Sequence, residues 1–101
     1  MPNKVLETEA FSRLFETLEK REQDWIKKVV LQLKENFLIG KPLKFNWFRE
    51  KKFGGKRLYY LVYEKGSLVL LVAFGRKKNQ QKIINQILQN KEKYMKFVEQ
   101  I

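Results

Sequence analysis

The chain has 101 residues, 22 Lys plus Arg against 11 Asp plus Glu, and neither His nor Cys, for a formal charge of +11. That length makes one domain, 1–101, with a modest core, and the 44% apolar content that fills it argues against global disorder. The missing Cys and His exclude disulfides, thiol nucleophiles, Ser-His-Asp and Cys-His pairs and the usual zinc and copper ligands.

In chain order, Lys4 to Leu6 reads as a short first strand. Thr8 is placed to cap a helix whose apolar residues, Phe11, Leu14, Phe15 and Leu18, share one face. The polar stretch Glu19 to Asp24 is a turn or a helix start. Trp25, Ile26, Val29, Val30, Leu33 and Phe37 then repeat the helical spacing, and Gly40 suits the position past a helix end. Two such helices in tandem predict a helical hairpin.

After Pro42 the period changes. Lys44 to Phe53, Arg57 to Glu64 and Leu68 to Phe74 predict three strands, joined by turns at Gly54-Gly55 and Lys65-Gly66-Ser67. The last is apolar on both faces, which places it in the sheet centre or under a helix. A third helix is expected from about Asn79, lined by Ile83, Ile84, Ile87, Leu88, Tyr94, Met95 and Val98, with a weak point at Asn90 and Lys91. The expected fold is α+β: an N-terminal helical hairpin, a three-to-four-stranded, mainly antiparallel sheet and a C-terminal helix, with the helices on one sheet face.

The charge has an address. Residues 1–24 carry four basic and six acidic side chains, whereas 41–78 carry eleven basic ones against Glu50 and Glu64. So basic a domain is drawn to nucleic acid, an anionic membrane or an acidic protein. A membrane span is not expected, because the longest apolar run, Leu68 to Phe74, falls far short of the ~20 residues required. The N-terminus has no signal-peptide core either, so a cytoplasmic protein is expected. No metal or cofactor is expected: Gly54-Gly55-Lys56 lacks the P-loop spacing, and carboxylates do not cluster in the basic half.

Alternation along the second meander strand puts Leu58, Tyr60 and Val62 on a core face and Arg57, Tyr59, Leu61 and Tyr63 on a face open to ligand. Hairpin geometry then gathers Arg49, Glu50, Lys51, Lys52, Arg57, Arg76, Lys77 and Lys78 on one rim. A cationic rim with aromatics fits RNA or DNA, because Lys and Arg neutralise phosphates while aromatic rings stack on exposed bases. The candidate contacts are Arg49, Lys51, Lys52, Lys56, Tyr59 and Lys78.

The helical hairpin, Gly40-Lys41-Pro42-Leu43, Phe48-Arg49-Glu50-Lys51-Lys52, Arg57-Leu58-Tyr59-Tyr60 and Gly75-Arg76-Lys77-Lys78-Asn79-Gln80-Gln81, in that order, resemble the RelE/ParE superfamily of type II toxin–antitoxin toxins over residues 3 to about 90. The resemblance implies a microbial toxin held by a RelB-like or other antitoxin protein. RelE-like members cleave mRNA in the ribosomal A site; ParE-like members inhibit DNA gyrase and cleave nothing. It also implies that Arg57 opens the strand whose arginine stabilises the transition-state phosphate, that Lys77 or Arg76 is the basic residue after the last strand, and that Lys51 and Lys52 lie where RNA is contacted. Glu50 aligns with a position that is basic in some members. Members often place a Tyr or His in the C-terminal segment as acid or base; here the aligned position, near Ile83, is apolar, and Tyr94 lies farther along.

Such cleavage needs a proton removed from the ribose 2′-OH, a stabilised phosphorane and a protonated leaving oxygen. Arginines supply the second through planar, bidentate contacts. With His absent, proton transfer falls to Lys, Glu or Tyr, and the candidate catalytic set is Arg57, Arg76, Lys77, Lys52 and Glu50. The reading is a ribosome-dependent, metal-independent mRNA endoribonuclease; the alternatives are a gyrase-inhibiting toxin or a plain basic RNA-binding module.

Overall fold

The computed structural model describes residues 2–101. Its elements are β1 (Lys4–Glu7), α1 (Glu9–Glu16), α2 (Lys20–Glu35), β2 (Lys41–Pro42), β3 (Phe48–Phe53), β4 (Lys56–Tyr63), β5 (Leu68–Arg76), α3 (Gln80–Gln89) and α4 (Lys91–Glu99). One-turn 3₁₀ segments, Glu64–Gly66 and Lys77–Asn79, flank β5.

The helical hairpin forms, but its helices end short of the expected positions: α1 stops at Glu16, before Leu18, and α2 at Glu35, before Phe37, with Asn36 rather than Gly40 ending it. Thr8 accepts a hydrogen bond from the Phe11 amide and caps α1. The polar stretch before Trp25 is helix rather than turn, because Glu19 and Glu22 make a reciprocal capping box that starts α2 at Lys20. The C-terminal segment is two helices, parting at Asn90, whose amide and side chain both bond back to the Gln86 carbonyl.

The sheet has five strands in the order β1-β5-β4-β3-β2. The meander β3-β4-β5 is antiparallel, as expected. The short β2 adds to its outer edge, and β1 pairs with β5 in parallel, so the sheet is mixed. β3 is shorter than the expected Lys44–Phe53, beginning at Phe48, and β5 runs on past Gly75 to Arg76.

The expectation of helices on one face is overturned. Phe11, Ile26, Val29 and Leu33 of α1 and α2 pack on Leu58, Tyr60, Val62, Val69, Leu71 and Phe74. On the opposite face Ile87 of α3, with Ile83, Ile84, Leu88, Tyr94 and Val98 at its margin, packs on Phe48, Tyr59, Leu61, Leu68, Leu70 and Val72. The cause lies in β5: a strand apolar on both sides exposes hydrocarbon on one of them unless both are covered. Tyr59 and Leu61, expected on a ligand-facing surface, are therefore core residues, 0% and 1% exposed.

A β-bulge between β4 and β5 decides how the sheet ends. Tyr59 pairs with Ala73 and Tyr60 with Leu71, leaving Val72 as the extra residue. One extra residue inverts the alternation beyond it. Val72 and Ala73 both join the α3 side, while Phe74 joins the core beneath α1 and α2. No helix among the described residues is long and apolar enough to cross a membrane.

Candidate nucleic-acid interface

The basic residues do converge on one end of the sheet, at the tip of the β3-β4 hairpin. Lys52 pairs with Arg57, which pairs with Gly75; Phe53 pairs with Lys56, which pairs with Arg76. The sheet divides them into two groups. Arg57 lies on the α3 side with Glu50, and by alternation so does Lys52. Lys56 and Arg76 lie on the α2 side, where they line a cleft with Arg21, Glu22 and Phe53. The single expected rim is thus two surfaces.

On the α3 side, Arg57 is buried and its guanidinium is aimed by the hairpin itself. Nη1 donates to the carbonyls of Gly54 (3.1 Å) and Lys56 (2.9 Å). Its Nε stands 3.9 Å from Glu50 Oε2 and makes no hydrogen bond. Glu50, 7% exposed, accepts a hydrogen bond of 2.5 Å from Gln80 Nε2 at the start of α3. Glu50 and Gln80 face a groove of about 460 Å³, walled by Lys41 and Lys44 on one side and Gln81, Ile84 and Asn85 on the other. Lys52, Lys77 and Lys78 are exposed around the same end, and Lys51 is half-buried. The Lys77 amide donates to the Gly55 carbonyl and ties the turn before α3 to the hairpin tip.

Three expected site residues are placed differently. Arg49 is not a surface cation. It is 6% exposed and donates to the carbonyls of Gly40 (2.8 Å), Asn46 (3.2 Å) and Leu38 (3.4 Å), bracing the loop before β2. Tyr59 offers no stacking face: its ring is sealed under α3, its hydroxyl is buried without a partner, and burial pushes its pKa up. Arg76 is exposed but on the far face from Arg57, because the bulge turns it over.

The C-terminal tyrosine is no nearer the groove. Tyr94 packs in the layer under α3 and α4, and burial raises its pKa. Tyr63, beside it, is pushed up to about 12 by burial. Ile83, near which the resemblance would align a Tyr or His, packs against the α3 side of the sheet. The Ile83 Cδ1 lies 2.9 Å from where a Cβ on Gly75 would sit, so α3 packs closely on β5 there and a side chain at that position would make the end of Ile83 move aside. Among the described residues no cluster of three carboxylates, histidines or cysteines is placed to hold a metal.

Gln80 and Glu22 escaped the sequence reading. The sequence signal for Glu22 was the Glu-x-x-Glu spacing of a capping box; for Gln80 it was only its place after the basic run. Glu22 is 4% exposed and its carboxylate is paired with Lys56 Nζ. The Lys56 hydrogen bond holds its pKa below the ordinary carboxylate range, against the opposing effect of burial.

No protein-family model and no curated protein matches this sequence. Solved structures do match by shape. A doubly arginine-substituted Escherichia coli RelE toxin in the free state superposes with a TM-score of 0.71 at 18% identity, covering 86% of this chain and 99% of that one. The fold is that of the RelE toxins. The archaeal RelE–RelB complex of Pyrococcus horikoshii OT3 gives 0.69 at 13% identity, over 76% of this chain and 97% of that one. The RelBE2 toxin–antitoxin complex of Mycobacterium tuberculosis gives 0.66 at 21% identity, over 76% and 100%. The RelE-like architecture read from the sequence holds, with its sheet and helices corrected as above.

Proposed function

We propose that this protein is the toxin of a type II toxin–antitoxin pair and that it cuts mRNA on the ribosome. The observation that carries this is the meeting of Arg57 and Glu50, 3.9 Å apart, beside a groove that Glu50 lines together with Lys41 and Lys44. An arginine and a carboxylate at one point supply two of the three demands of phosphodiester cleavage. Glu50 takes the proton of the ribose 2′-OH as its oxygen attacks the neighbouring phosphorus. Arg57 meets the charge that grows on the phosphorane oxygens. The bond to the 5′-oxygen breaks, that oxygen takes a proton from a rim ammonium (Lys77 or Lys52), and a 2′,3′-cyclic phosphate remains.

Glu50 is nearly closed to solvent, so the isolated protein is a poor nuclease and the orientation of the message on the ribosome supplies much of the rate. Arg57 Nε is buried without a hydrogen bond, so a phosphate meets the guanidinium only when the side chain or the hairpin tip shifts to expose it. An antitoxin partner follows from the same reading: an acidic protein segment complements the +11 chain and shields the groove.

The test is inducible expression followed by mapping of mRNA 5′ ends. Cuts inside codons that vanish when translation is blocked are expected. Intact mRNA, together with inhibited supercoiling by the purified protein, would replace this reading with the gyrase one.

A further inference from the structure

The cleft on the α2 side has no part in the chemistry above, yet it is built. About 490 Å³ in volume, it is lined by Arg21, Glu22, Phe53, Gly54, Gly55, Lys56 and Arg76. Three cations face one carboxylate there, and that carboxylate is already committed to Lys56. Arg21 lies over the Phe53 ring at 5.7 Å, and Phe53 in turn rests against Trp25 at 4.8 Å, so the arginine head is held above an aromatic floor. Arg76 is the remaining wall, exposed and without an acidic partner. An excess of guanidinium over carboxylate in a concave site is a site for an anion with several oxygens, because the planar fork matches phosphate.

The cleft and Arg57 lie on the two faces of one hairpin tip. Lys56 and Arg57 are consecutive on β4 and point to opposite faces. Over Gly54 and Gly55 there is open space within 4 Å of where a Cβ would stand, so the tip between the two sites is bare backbone. Lys52, Lys77 and Lys78 are exposed beside it.

We propose that the cleft holds a backbone phosphate of the RNA strand whose neighbouring phosphodiester lies at Arg57, so that the strand wraps the β3-β4 tip. This rests on the reading of the protein as an RNA-directed toxin and adds a second, non-reacting phosphate subsite to it. Arg21 and Arg76 bind the phosphate, and Glu22 holds Lys56 in the wall between them.

The test is equilibrium binding of a fluorescein-labelled single-stranded oligoribonucleotide to the whole protein, by anisotropy over a range of salt. Three proteins are compared: the unsubstituted chain, Arg21→Ala/Arg76→Ala, and Lys28→Ala/Lys34→Ala. The last removes two exposed charges from α2 away from the cleft. Loss of the one phosphate held in the cleft should weaken binding and flatten the slope of log K against log salt by roughly 0.7, the value per phosphate contact with a single strand. The Lys28/Lys34 variant should keep the original slope. Equal losses in both variants, or no binding by the unsubstituted chain, would overturn the cleft. Message cutting is read separately in the same proteins. Cleft-dependent binding without cutting upholds the subsite and removes the nuclease reading; cutting with an unchanged slope does the reverse.

Discussion

Arg57 and Glu50 form an ion pair across two adjacent strands, at 3.9 Å, with side chains only 6% and 8% exposed. At that length the pair lacks a direct hydrogen bond, and each partner is steadied by something else: Arg57 by the Gly54 and Lys56 carbonyls, Glu50 by Gln80. Arg57→Lys keeps the charge and loses the fork. Message cutting should fall by about 10²–10³-fold, the cost of losing one oriented transition-state donor. Melting and circular dichroism should show a folded protein. Undiminished cutting would remove Arg57 from the chemistry.

Glu50→Gln tests the base. Glutamine keeps the shape and still accepts from Gln80, but it leaves the buried Arg57 guanidinium without its counter-charge, so the melting temperature should fall, and cutting is read well below it. Cutting should drop by about 10²–10⁴-fold, the usual contribution of a positioned base. A variant that cuts as well as the unsubstituted protein would transfer that role to a rim lysine.

Tyr59 carries a buried hydroxyl with no partner. Tyr59→Phe removes a desolvated hydroxyl that has only Gln80 close enough to influence it by hydrogen bonding, so stability should be unchanged or rise by about 1 kcal/mol. RNA binding should be unaffected, since no part of the ring reaches the surface. Urea melts and the anisotropy assay check both halves. A loss of binding would mean that α3 lifts to expose it.

Glu22 links stability to pH. Its pKa is lowered in the folded protein, chiefly by the Lys56 hydrogen bond. The unfolded chain therefore binds the proton more readily. The stabilisation is fully present above the ordinary carboxylate pKa, about 4.3, and is lost as pH falls through the lower folded value. Melting temperatures from pH 7 down to 3 should show this loss, and Glu22→Gln should flatten it. An identical acid limb in that variant would assign the dependence to other carboxylates.

Gly40 joins two parts of the α2 side. Its amide donates to Tyr60 Oη at 2.9 Å and its carbonyl accepts from Arg49, while Tyr60 donates to the Phe37 carbonyl at 3.0 Å. A Cβ there would run into the Glu50 carbonyl and sit 2.6 Å from Tyr60 Oη. Gly40→Ala should cost about 1–3 kcal/mol, the range for overpacking, read as a lower urea midpoint. A midpoint unchanged from the parent would mean that the loop 36–40 shifts freely.

By itself the sequence determined the elements. Helical spacing in Phe11 to Leu18 and Trp25 to Phe37, turn residues at Gly54-Gly55 and Lys65-Gly66-Ser67, and the apolar run of β5 are local signals, and each produced its element, although both helices end short of their last apolar residue. It also determined that the cations gather at the β3-β4 tip, because a hairpin fixes which residues are opposite one another. Which face each residue took was decided only by the tertiary structure. Period-2 alternation gives relative facing, but a single bulged residue at Val72 reverses it, and nothing local in Leu68 to Phe74 marks the bulge. Whether a face is covered depends on helices distant in the chain, so Tyr59 went into the core and Arg49 into a brace for the loop. The unbroken basic rim read along the chain thus became a buried Arg57–Glu50 pair beside a groove on the α3 side and a separate cleft around Arg21 and Arg76 on the other, with β4 between them.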